Sequence, residues 1–108
     1  MYFALVYDLV DDYLEQRPAF RDEHLALARA ALERGELVLA GAFAEPADKA
    51  LLVWAVDDPS VVERFVQADP YVTNGLVLRW AIRSWNVVLG GEAGGRAAPA
   101  AGLSRRSP

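Results

Sequence analysis

Glu36-Leu37-Val38-Leu39-Ala40-Gly41-Ala42-Phe43 and Ala50-Leu51-Leu52-Val53-Trp54-Ala55-Val56 are two short apolar runs joined by Glu45-Pro46-Ala47-Asp48. Runs of this length, bounded by turn-forming residues, predict two strands and the hairpin between them. The pair lies between two stretches of helical periodicity. Upstream, Pro18 opens a main helix that runs to about Arg34, and Gly35 follows the last periodic residue, where glycine supplies a left-handed cap. Downstream, Asp58 as N-cap and Pro59 at the first helical position open a second helix, which ends near Ala68 and turns Val61, Val62, Phe65 and Val66 to one face. Further out, Tyr2-Phe3-Ala4-Leu5-Val6-Tyr7 predicts a strand that stops at Asp8, and Leu76 to Leu89 predicts a fourth, the longest. Asp11 to Gln16 is an acidic loop with a helical turn. Asp69-Pro70-Tyr71-Val72-Thr73-Asn74-Gly75 is a compact connection in which Pro70 biases Asp69 away from helical geometry and Gly75 permits positive φ. The order β-α-β-β-α-β predicts an α+β fold of ferredoxin-like plan, with both helices on one face of a four-stranded antiparallel sheet.

The other face of that sheet needs a cover. A solvated face alternates apolar and polar residues, yet Leu37 to Ala40 and Leu51 to Val56 are apolar on both sides. Exposed patches of that size mark interfaces, so a second copy is expected to pack its sheet there as a two-fold homodimer of the α+β barrel type. Composition agrees: 54% of the residues are hydrophobic, yet no run approaches the roughly 20 apolar residues of a membrane span. The chain of 108 residues reads as one domain over 1–89 followed by a disordered tail over 90–108, rich in glycine and alanine. Net charge is −4, and because the tail holds three arginines against one glutamate, residues 1–89 carry −6. That balance excludes a nucleic-acid surface. The absence of cysteine excludes a disulfide framework and a thiol nucleophile. With no basic leader ahead of the first strand, a cytoplasmic location is expected.

The only histidine, His24, lies in the main helix. At about 100° per residue, Phe20, His24, Leu25, Leu27, Ala28, Ala31 and Leu32 share one arc, while Asp22, Glu23, Arg29, Glu33 and Arg34 share the other. His24 therefore points toward the protein body, where an imidazole must find a hydrogen-bond partner or a pocket. Asp69 is the most plausible partner, since the segment leaving the second helix approaches the same end of the sheet. A His24–Asp69 pair suits general acid–base work, with the carboxylate fixing the imidazole tautomer. It equally suits a satisfied structural bond. Arg79 and Arg83 alternate with Val77, Ala81 and Trp85 on one side of the last strand. Two cations there either pair with carboxylates across the dimer or bind an anionic substrate. No glycine loop for phosphate appears, and one histidine among scattered carboxylates lacks metal-ligand spacing, so neither cofactor nor metal is expected.

Three segments carry a resemblance: Arg21-Asp22-Glu23-His24-Leu25-Ala26, Leu39-Ala40-Gly41, and Ala68-Asp69-Pro70-Tyr71-Val72 with Gly75. On these, residues 2–89 resemble the YciI-like family of small proteins. The resemblance implies a ferredoxin-like, dimeric α+β barrel and makes His24 and Asp69 the candidate catalytic dyad. It also implies a family that includes dehydrochlorinase chemistry on a chlorinated hydroxyquinol. The chain departs from the family pattern at Ala42 and Ser84, where members often carry proline, which bears on pocket shape and on the exit of the last strand. The expected function is cofactor-independent proton transfer on a small molecule, by elimination or isomerisation. The alternative is a non-catalytic module that binds a small ligand or a protein on the same scaffold.

Overall fold

In β1 (Tyr2–Leu9) every second side chain, Phe3, Leu5, Tyr7 and Leu9, is buried, and the intervening ones are partly covered. That period of two fixes which face meets the helices. The computed structural model describes residues 1–91, so apart from Gly90 and Gly91 the expected tail over 90–108 lies outside the described residues. Along the chain β1 is followed by α1 (Tyr13–Gln16), a 3-10 turn (Arg17–Ala19), α2 (Arg21–Glu33), β2 (Leu37–Ala42), β3 (Lys49–Ala55), α3 (Ser60–Ala68), α4 (Pro70–Thr73) and β4 (Val77–Trp85). The strands form one antiparallel sheet in the order β2-β3-β1-β4, the ferredoxin-like arrangement expected. No helix among the described residues is long and apolar enough to cross a membrane.

Cross-strand register assigns the faces. Phe3 pairs with Trp54, Leu5 with Leu52 and Tyr7 with Ala50, and these residues form the floor of the core beneath the helices. Helix α3 sets Val62, Phe65 and Val66 into this core and leaves Glu63, Arg64 and Gln67 in water. Phe65 meets the fully buried Trp54 edge-on, with ring centroids 5.0 Å apart. On the opposite face lie Val6, Leu39, Leu51, Val53, Ala81 and Trp85, together with Arg79 and Arg83. The pairing of β2 shifts between Leu37, opposite Trp54, and Leu39, opposite Val53, with Val38 as the extra residue of a bulge. The bulge sends Leu37 into the core and Leu39, only two residues on, to the opposite face.

Local departures from the expected boundaries have local causes. The main helix begins at Arg21 rather than Pro18, because residues 17–19 tighten into the 3-10 turn and Phe20 adopts φ −121°, ψ 0°, outside the helical region. At the other end of α2, the N–H of Gly35 donates to the Leu32 carbonyl and that of Glu36 to the Ala31 carbonyl, a Schellman closure with Gly35 at φ 78°. Helix α3 starts at Ser60, where Asp58 Oδ1 accepts the Ser60 N–H at 2.9 Å. Leu32, placed on the inward arc by periodicity, is half exposed. The connection 69–75 contains the one-turn helix α4, and β4 ends at Trp85 rather than Leu89.

Candidate active site

Asp69 is the one fully buried carboxylate of the described residues, with 0% of its surface exposed. Pro70 forces it into an extended conformation (φ −70°, ψ 119°), which turns its side chain back over the first turn of α4. There Oδ1 accepts the backbone N–H of Tyr71 at 3.0 Å. The Tyr7 hydroxyl, rising from β1, donates to Oδ2 at 2.7 Å. His24 Nδ1, on the inner face of α2, lies 2.8 Å from Oδ1. Three elements thus converge on one side chain.

The protonation pattern follows from the donors. A backbone N–H and a phenol both donate to Asp69, and a carboxylate accepts without donating only when ionised. Burial first, then the adjacent Asp69 charge and hydrogen bond, push the Tyr7 phenol far up from its ordinary value and keep it a donor. Against an ionised Asp69, Nδ1 of His24 is the donor of their hydrogen bond, and in the neutral ring Nε2 is then the acceptor nitrogen. The ring stacks on Tyr71 with centroids 3.8 Å apart and an interplanar angle of 8°, while Phe65 approaches edge-on at 6.4 Å. Hydrogen bond and stack together leave the imidazole one orientation.

His24 and Tyr71 wall a cavity of about 170 Å³ between α2 and the sheet. Tyr7, Leu9, Ala50 and Leu52 line it from the sheet, Ala40, Gly41 and Ala42 from β2, and Leu25 and Ala28 from α2. An apolar space near 150 Å³ holds a benzene-sized molecule. Burial, above all, raises the Tyr71 phenol to about 12, so it stays protonated at neutral pH. Among the described residues no group of three or more His, Cys, Asp or Glu side chains gathers in a way that could hold a metal ion.

Two sequence candidates meet here and two do not. His24 and Asp69 are hydrogen-bonded, whereas Arg79 and Arg83 project from the opposite face of the sheet, where Arg79 Nε donates to Asp8 Oδ2 at 2.6 Å. Lys49 contacts the same carboxylate, and these two cations hold Asp8 below the usual carboxylate range. The cations that do line the His24 cavity are Arg17 and Arg21, which sequence reasoning passed over. One signal was available: Arg21 precedes His24 by three residues and so shares its helix face. Arg17 had none, because the 3-10 turn that aims it inward is a tertiary outcome.

The model of the YCII-related domain matches residues 1–86. No curated protein sequence matches the chain. Among solved structures, the chain is similar to 5-chloro-2-hydroxyhydroquinone dehydrochlorinase from Burkholderia phenoliruptrix AC1100, in complex with 2,5-dihydroxybenzoquinone. The TM-score is 0.68 at 18% identity, over 80% of this chain and 94% of that one. It is also similar to protein Atu4242 from Agrobacterium tumefaciens, at TM-score 0.49 and 17% identity, over 77% of this chain and 89% of that one.

Proposed function

The chain belongs to the YCII-related family, and from that premise we propose that it is a cytoplasmic, homodimeric, cofactor-independent enzyme that moves a proton on a small molecule held in the His24 cavity. The observation that carries the reading is the triply bonded Asp69, which commits Nδ1 of His24 to a hydrogen bond and leaves Nε2 as the basic nitrogen beside the cavity. In an elimination, Nε2 takes a proton from carbon, the C–H electron pair forms a double bond, and the neighbouring substituent leaves with its own bonding pair. An isomerisation needs only return of the proton at another carbon. Asp69 stabilises the charge the ring acquires meanwhile. The fold shared with a dehydrochlorinase bound to a quinone is compatible with an elimination on a single ring.

A panel of hydroxylated and chlorinated single-ring compounds tests this, scored for chloride release and for uptake of solvent deuterium. Turnover that falls by about 10²–10⁴ in His24→Gln, and substantially in Asp69→Asn, is expected for a general base and its orienting carboxylate. A panel member that binds but reacts no faster in the wild type than in His24→Gln supports the second reading, a binding module. Asp69 favours that alternative to one extent: it also caps α4 and anchors Tyr7, as a purely structural group would.

Dimerisation is supported by the apolar sheet face, where Leu39 and Trp85 are 59% and 46% exposed in the single chain. Light scattering at micromolar concentration is expected to report twice the chain mass, and a monomer would remove this part of the reading.

A further inference from the structure

Arg17 and Arg21 stand out against a domain of net negative charge. The ion pairs among the described residues join Arg34 to Glu36, Lys49 and Arg79 to Asp8, and His24 to Asp69; neither Arg17 nor Arg21 takes part. The acidic residues nearest in sequence, Glu15, Asp22 and Glu23, are exposed to solvent. Both arginines instead line the His24 cavity. Arg17 is held there with its guanidinium 5.6 Å from the ring centroid of the buried Tyr13, which in turn meets Tyr71 edge-on at 5.7 Å. Its Nε is shielded from solvent and has no hydrogen-bond partner. A buried donor left unpaired is costly, and a donor on a permanent cation more so. Both guanidiniums are also close enough to Tyr71 to draw its phenol's pKa downward, against the larger effect of burial. Their field is therefore felt beside the imidazole.

We propose that Arg17 and Arg21 form the anion subsite of this cavity, and that its ligand is a flat, single-ring molecule carrying one oxyanion. The inference rests on the reading of the cavity as the substrate site, and it deepens that reading by naming the substrate's charge and shape. About 170 Å³ admits one six-membered ring and its substituents. The aliphatic and aromatic lining favours the ring's faces, and the guanidinium forks take the oxygen in its plane. An oxyanion held at that end leaves the opposite edge of the ring for His24 Nε2. A carboxylate or a phenolate satisfies the same donors.

The test uses the full chain, with benzoate as probe and benzamide as its neutral isostere, and binding is followed through the ring NMR signals of the only histidine. Benzoate is expected to bind at least about ten-fold more tightly than benzamide, and to weaken as salt is added. Arg17→Gln and Arg21→Gln are each expected to reduce benzoate affinity by about ten-fold and to leave benzamide unchanged. Arg21 is exposed, so its variant keeps the test open if Arg17→Gln fails to fold. Equal affinity for the two probes, no binding of benzoate, or selectivity that survives in Arg21→Gln and in the double variant would overturn the subsite. Failure of the proton-transfer reading looks different: benzoate selectivity would persist in the wild type and be lost in the arginine variants while no panel compound turned over.

Discussion

Asp69 ties the proposed proton transfer to folding at a single side chain. Asp69→Asn keeps the shape but offers one acceptor oxygen and an NH2 donor to a site that presents three donors, so at least one N–H or O–H loses its acceptor. The variant is expected to lose about 1–3 kcal/mol of stability by urea denaturation, in addition to its loss of turnover. Tyr7→Phe removes the donor to Oδ2 alone and is expected to cost less. The two phenols also set an alkaline limit. Unfolded Tyr71 gives up its proton near 10.0, whereas the folded residue holds it to about 12, and Tyr7 is shifted in the same direction. Between those values the unfolded chain binds fewer protons than the folded one, so stability is whole below the lower value and drains away as pH rises toward the upper. Comparing urea midpoints at about pH 9 and about pH 11 should show the drop, and Tyr71→Phe should blunt it. At this scale His24 and Asp69 were legible in the sequence, one as an inward imidazole on a helical stripe, the other as an extended residue before proline. Arg21 was legible only through its helical spacing to His24, and Arg17 not at all, because its reach is set by the 3-10 turn that carries it.

Helix α2 positions His24 through its two ends. Its C-terminal closure runs straight into the sheet: the Glu36 N–H completes the helix on the Ala31 carbonyl, and the Glu36 carbonyl accepts the Ala55 N–H of β3. Gly35→Ala would put a Cβ on a residue at φ 78° and is expected to cost about 1–2 kcal/mol, measured as a lower urea midpoint with unchanged slope. No neighbouring atom would meet that Cβ, so the penalty is one of backbone conformation alone. The hairpin, the two long helices and the order of the strands followed from periodicity and punctuation. The pieces that escaped were short ones. Helix α4 has four residues and owes its turn to a cap from Asp69, the 3-10 turn spans three, and both lie below the length at which a repeat can be recognised.

Taken as a whole, the molecule presents two different faces to its surroundings, one covered by helices and one open, and the runs apolar on both sides are what support the proposed dimer. Leu39 lies on the uncovered side at the edge strand β2, so Leu39→Lys is expected to shift the proposed dimer toward monomer in light scattering while the circular dichroism spectrum of the fold is retained. The extent of β4 was overestimated, because the apolar composition of Val87 to Leu89 continues past the last paired residue, Trp85. The three tryptophans are distributed over these layers. Trp54 is sealed in the core, Trp80 is 43% exposed on the helix-bearing side of β4, and Trp85 is 46% exposed on the other. Their indoles give the chain a built-in optical ruler. A water-soluble quencher should extinguish the emission of Trp80 and spare that of Trp54 for as long as the fold holds, while Trp85 moves from the first behaviour to the second only when something comes to rest against the open sheet.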